Sequence, residues 1–336
     1  MFAAIEITPW HWVGFVVCVV TFLALDLGVF HRKARVVRFK EAIAWTTLWF
    51  SLAMAFAAGL VPMRGKEEAM EFLTGYLIEL SLSMDNVFVI ALIFAYFRVP
   101  SEYQHRVLFW GILGALVMRG VMIGAGAALV ERFHWMLYVF GAFLVYSGVK
   151  MLFVDEEGVH PEKNPFIKLA RRFLPVSHEF DGQRFLTVTR THTTSVAYAE
   201  AGGQSSLAAN VVEVGQRALT PLALVLVMVE TTDLVFALDS IPAIFGITTK
   251  KFIVFTSNVF AILGLRSLYF VLAGAIEYFR YLKYGLSIVL IFIGVKMLAE
   301  IWNVKLSTTF SLGVVAGIIV ASIVFSIVAA RHERNA

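Results

Sequence analysis

Apolar residues gather in nine long stretches, near 10–31, 41–62, 71–97, 105–130, 134–154, 219–246, 252–276, 282–301 and 308–330. Each is close to or above the ~20 residues that a helix needs to cross the hydrocarbon of a bilayer. The pattern breaks once, over 155–218, where Asp155, Glu156, Glu157 and Glu162 mix with Lys163, Lys168, Arg171 and Arg172. Alternation within that break predicts a short β-hairpin near 184–198. Gly202, Gly203, Ser205 and Ser206 predict a flexible stretch over Ala199–Ala209. The fold class is therefore all-α: a polytopic membrane protein with about nine transmembrane helices, in one transmembrane domain over 1–336.

Composition narrows the class. The chain is 59% hydrophobic and 15% charged, with a mean hydropathy of +0.79; soluble domains are about 25% charged. A water-soluble globule, a disordered chain and a secreted disulfide scaffold are excluded. Cys18 is the only cysteine, so there is no intrachain disulfide to make and too few thiols for a zinc or iron–sulfur site. The net charge of +4 matters through its distribution. With the N-terminus outside, short inner segments carry eleven Lys and Arg and the outer ones six. The positive-inside rule then places the C-terminus in the cytoplasm and makes 155–218 a cytoplasmic loop. The first stretch has its basic residues after the apolar run, so it reads as a span and not as a signal peptide.

Spans three to five resemble spans six to eight. Glu79-Leu80 and Asp85-Asn86 match Asp233-Leu234 and Asp239-Ser240 at the same six-residue spacing. Gly148-Val149-Lys150-Met151-Leu152 recurs as Gly294-Val295-Lys296-Met297-Leu298, and Arg119 and Arg266 fall within one residue of register. The repeats cover 71–153 and 219–300. An odd number of spans per unit inverts one copy relative to the other, the architecture of many secondary transporters.

Six carboxylates lie inside the spans: Asp26, Glu79, Asp85, Glu230, Asp233 and Asp239. Each costs ~2.5–3.5 kcal/mol near the bilayer centre when unpaired. Arg119 and Arg266 neutralise two as counter-ions, and the remainder call for protons or a bound cation. Glu230 and Asp233 share a helical face. Glu79 and Asp85 diverge by about 120° on an ideal helix, so they address one site only if the helix is distorted, or else one of them faces a second site. Pro242 offers a break beside Asp239. Carboxylates, Asn86, Ser240 and helix carbonyls are hard oxygen donors, which suit Mn²⁺, Mg²⁺ or Ca²⁺ better than copper or zinc. Lys150 and Lys296 sit near span ends and are expected to snorkel, and Gly120 and Gly124 to pack helices. His160, His178 and His192 have no ligand spacing. A phosphate loop and a His-Glu-x-x-His pair are both missing, and the basic residues form no nucleic-acid stripe. The expectation is no enzyme and no resident cofactor.

The stretches Gly75–Glu79 and Ser83–Val89, Val229–Ile244, Thr256–Arg266 and the two Gly-Val-Lys-Met-Leu pentapeptides resemble the TerC family of the LysE transporter superfamily, closest to its bacterial Alx-like branch. The resemblance implies an integral inner-membrane protein linked with Mn²⁺ export and with tellurite or alkaline-pH phenotypes, some members being labelled redox modulators. It implies an acidic set of Asp26, Glu79, Asp85, Asn86, Glu230, Asp233, Asp239 and Ser240. The leading expectation is Mn²⁺ export by alternating access, with proton exchange as its coupling. The partners are then a divalent metal, protons and the lipid bilayer, and a homodimer stays open. A proton or other cation transporter and a non-transporting stress-response scaffold are the rivals.

Overall fold

The computed structural model describes residues 7–25, 39–153, 164–173, 175–177, 179–201, 204–273, 282–304 and 306–335. Its long helices are α1 Pro9–Leu25, α2 Phe39–Arg64, α3 Lys66–Tyr96, α4 Ser101–Arg132, α5 Met136–Phe153, α7 Pro221–Phe245, α8 Lys251–Ala273, α9 Leu282–Ala299 and α10 Thr308–Asn335; a short α6, Pro165–Phe173, precedes the hairpin. Eight of the described helices are long and apolar enough to cross a membrane, and the described part of α1 is a shorter apolar helix. The chain is a multi-pass membrane protein, and the spans fall close to the stretches read from the sequence.

Local chemistry sets the helix ends. Gly65 has φ +97°, a conformation that L side chains rarely adopt, and it separates α2 from α3. Glu67 and Glu68 in the first turn of α3, and Arg64 in the last turn of α2, complement the two helix dipoles. Thr220 precedes α7 and its Oγ1 accepts the Ala223 N–H at 3.3 Å, while Pro221 takes the first helical position, where no N–H is needed.

Each described unit packs by itself. In the membrane unit, Met1–Val159 with Val229–Ala336, α8 is the most enclosed helix and α5 and α10 are among the least. Lipid gives helices no hydrophobic reason to associate, so small residues and close packing must hold them. The α5–α9 seam shows this. A Cβ on Gly141 would lie 3.1 Å from the Gly294 carbonyl oxygen, and one on Gly148 would lie 2.8 Å from that of Ser287. The pentapeptide offset carries Gly148 onto Gly294 and Gly141 onto Ser287. Each contact therefore maps onto the other, as two antiparallel helices related by a twofold operation require. Likewise Gly75 of α3 approaches Ser257 of α8, and Gly111 of α4 approaches Val229 of α7, a pair the repeat maps to within one residue. Gly120 meets only Phe255 at 3.5 Å and Gly124 meets nothing within 4 Å. The close approaches on α4 fall at Gly111, Gly114 and Gly126 instead. An apolar cleft of about 620 Å³, floored by Phe15, Cys18 and Trp49, lies among α1, α2 and α8.

One open alternative closes and two other expectations change. Helix α3 runs unbroken through Glu79 and Asp85. Helix α7 passes Pro242 and ends at Phe245, because a proline in the last turn removes one backbone bond and interrupts nothing beyond it. The second unit, His160–Met228, holds the antiparallel hairpin β1 Leu186–Ala201 and β2 Gln204–Leu219. The strands are longer than the predicted 184–198 and take in the described part of the stretch read as flexible, since the register in which Thr187–Val196 pairs with Ala209–Ala218 continues out to Ala201 and Gln204.

Candidate functional site

Four helices send polar side chains to one buried point. Arg119 of α4 is 2% exposed and Glu79 of α3 is 1% exposed. The guanidinium forks onto Asp233 of α7, with Nη2 donating to Oδ1 at 2.8 Å and Nε to Oδ2 at 3.2 Å. Its Nη1 donates to Glu79 Oε1, to Ser240 Oγ at 3.2 Å and to Asn258 Oδ1 of α8 at 3.0 Å. Asn86 Nδ2 of α3 donates to Asp233 Oδ1 at 3.3 Å. One positive charge thus serves two repeat-related carboxylates, one from each repeat. Such pairs persist out of water only when fork geometry and neutral donors satisfy the remaining lone pairs. Here they are not all satisfied: Glu79 Oε2, Asn86 Oδ1 and Asn258 Nδ2 are buried with no hydrogen-bond partner. A cavity of about 20 Å³ lies against Asn86, Thr232 and Asp233, room for roughly one water-sized guest.

Among the described residues, Asp85, Glu230 and Asp239 make no bond to this arginine. Asp239 is half-buried and accepts from Ser147 Oγ of α5 at 2.7 Å. Asp85 and Arg266 are each 9% exposed. Glu230 is half-buried, one turn from Asp233, and leans on α4 where Gly114 leaves space; a Cβ there would come within 1.9 Å of Glu230 Oε1. Asp26 lies outside the described residues. Among the described residues, no three His, Cys, Asp or Glu side chains converge where an ion could sit; a guanidinium fills the centre instead. Asn258 and Ser147 are the polar partners that sequence reasoning missed. The signal for Asn258 was a carboxamide in the middle of an apolar span, since a polar group at that depth is costly unless partnered. Ser147 directly precedes the Gly-Val-Lys motif, yet a serine alone carries too little signal. Lys296 does not snorkel as expected: it is 6% exposed.

A polytopic helical bundle whose two halves bring repeat-related carboxylates to one buried arginine is the class that fold and site define. Residues 64–334 match the model of the integral membrane protein TerC family, and the chain belongs to that family. It is 52% identical over 325 residues to an uncharacterized membrane protein, STKORF319, of Myxococcus xanthus, covering 97% of this chain and 94% of that one. It is 42% identical over 339 residues to the putative membrane-bound redox modulator Alx of Escherichia coli K12, covering 98% of each. An uncharacterized membrane protein of Rickettsia bellii is 39% identical over 286 residues, covering 85% of this chain and 87% of its own. No solved structure matches the chain.

Proposed function

We propose that the protein exports Mn²⁺ across the bacterial inner membrane by alternating access between its two inverted repeats, with its N-terminus outside and its C-terminus in the cytoplasm. The observation that carries this reading is the charge imbalance at the bundle centre. Glu79 and Asp233 share the single guanidinium of Arg119, and buried oxygens of Glu79 and Asn86 still lack a donor. A site with surplus hard oxygen donors at membrane depth suits a hard divalent cation, and carboxylates that release one recover balance from protons. Asp85, Asp239, Glu230 and Ser240 extend the donor set along α3 and α7, and Asp26 would join from the first span.

The test is Mn²⁺ flux in liposomes carrying the purified protein, beside an Asp85→Asn, Asp239→Asn double variant. Saturable flux in the wild type and its loss in the folded variant are expected. Flux unchanged in the variant would remove Asp85 and Asp239 from the site, and no wild-type flux under any pH gradient would remove the transport reading. A second reading, a stress-response scaffold, draws on the compact unit His160–Met228 and on the redox-modulator description of the Alx relatives. Deleting 193–210 separates the two, because a transporter keeps its flux and a scaffold loses its response.

A further inference from the structure

The central arginine stands where a transported cation would be bound. Every atom that Arg119 addresses is an oxygen: Glu79 Oε1, both oxygens of Asp233, Ser240 Oγ and Asn258 Oδ1. A hard metal ion would choose that same donor set. The set is also larger than the guanidinium uses, since Glu79 Oε2 and Asn86 Oδ1 remain buried and unpartnered beside it. A divalent ion between Glu79 and Asp233 would place three positive charges against two negative ones in a low-dielectric interior, so the metal and the guanidinium exclude each other there.

We propose that Arg119 is a tethered substitute for the cargo: it holds Glu79 and Asp233 together while the site is empty, and yields them to the arriving metal. This rests on the transport reading and assigns its return stroke. An empty carrier must reorient, and two uncompensated carboxylates at membrane depth would oppose that step. With Arg119 in place the empty site keeps one cation bound, so it returns with one proton fewer than two bare carboxylates would need. A second carboxylate for the displaced guanidinium lies one helical turn from Asp233 on α7, at Glu230. Gly114 of α4 leaves room for the carboxylate of Glu230. That carboxylate has no hydrogen-bond or ion-pair partner among the described residues.

The test compares two transport modes of one preparation. Net Mn²⁺ efflux into metal-free medium requires the empty carrier to return, whereas exchange with Mn²⁺ on both sides does not. In Arg119→Gln, the ratio of net efflux to exchange is expected to fall roughly 100-fold, the equilibrium cost of one more uncompensated buried charge, and the residual net flux becomes more steeply dependent on external acid. Arg119→Lys keeps the charge without the fork and should recover part of the net efflux. If Arg119→Gln does not fold, Arg119→Lys carries the test through a smaller fall in the ratio of net flux to exchange. A folded variant in which both modes fall together, or neither changes, overturns the proposal and leaves the transport reading standing. A wild type inert in both modes removes both.

Discussion

Two ion-pair networks in this protein use the same ingredients in different surroundings. At the centre, Arg119 serves Glu79 and Asp233 with a side chain 2% exposed. At the end of the bundle where α2 gives way to α3 and α7 to α8, Arg64 forks onto Glu68 at 2.7 and 2.9 Å. There Lys250 Nζ reaches Glu68 at 3.4 Å and Glu71 at 3.1 Å, and Thr248 Oγ1 donates to Glu71 at 2.9 Å. The rim network has two cations for two carboxylates, and Lys250 is 40% exposed, so it is balanced and open to solvent. The central network is one cation short and closed. A brace is best built as the rim is built, because imbalance in a dry interior costs stability that an apolar side chain would not. The difference points to the rim as a fastening and to the centre as a site that accepts charge from elsewhere.

The comparison breaks most sharply at Asp233. Its replacement by Ala leaves Nε and Nη2 of the guanidinium and the Asn86 amide without acceptors while Glu79 still balances the charge, and buried donors stranded at about 1–3 kcal/mol each make this the largest expected loss. Denaturant titration of the purified protein in detergent measures this. A cost no larger than that of a rim substitution would mean that the two networks do the same job. Glu71→Gln sits in between. Glu71 is only 6% exposed, and the amide can still accept from Thr248 while losing its charge toward Lys250. A loss of about 1.5 kcal/mol is expected, the lower end of the range for a hydrogen bond to a charged group because Lys250 is half-exposed, read by the same titration.

How much of this was legible in the sequence follows the same division. Spans, repeats and the acidic motifs depend on length, hydropathy and spacing, all of them properties of the chain, and they were readable. Which carboxylates meet was not. Helical spacing correctly sets Glu79 and Asp85 about 120° apart on an unbroken α3, but it does not say that Glu79 would find Arg119 while Asp239 found Ser147. Those pairings depend on how the helices pack: Gly111 and Gly114 let α4 approach Val229 and Glu230 of α7, while the Gly148–Ser287 contact sets α5 against α9. The expected distortion near Pro242 failed because a span need not unwind to place a side chain when its neighbours come close enough. Lys296 was misread because a pentapeptide near a helix end looks like a membrane boundary, while α9 packs in one buried cluster with Ile78 and Leu82 of α3, Leu144 of α5 and Val315 of α10.

The smallest effect sharpens the contrast from the other side. Lys250→Met removes a half-exposed ammonium that touches Glu68 and Glu71 at 3.1–3.4 Å. Glu68 keeps its two bonds from Arg64 and Glu71 keeps the Thr248 hydroxyl, so neither carboxylate is left without a donor. Solvent-exposed pairs are worth about 0–1 kcal/mol and are screened by salt. The substitution should therefore shift the denaturation midpoint slightly at low ionic strength and hardly at all in molar salt, with Mn²⁺ flux intact. Salt should leave the Asp233→Ala penalty in place, because mobile ions do not enter a network 2% exposed. A Lys250→Met loss that persists in high salt would show that the rim is as closed as the centre, and the functional distinction between the two networks would then have to rest on charge count alone.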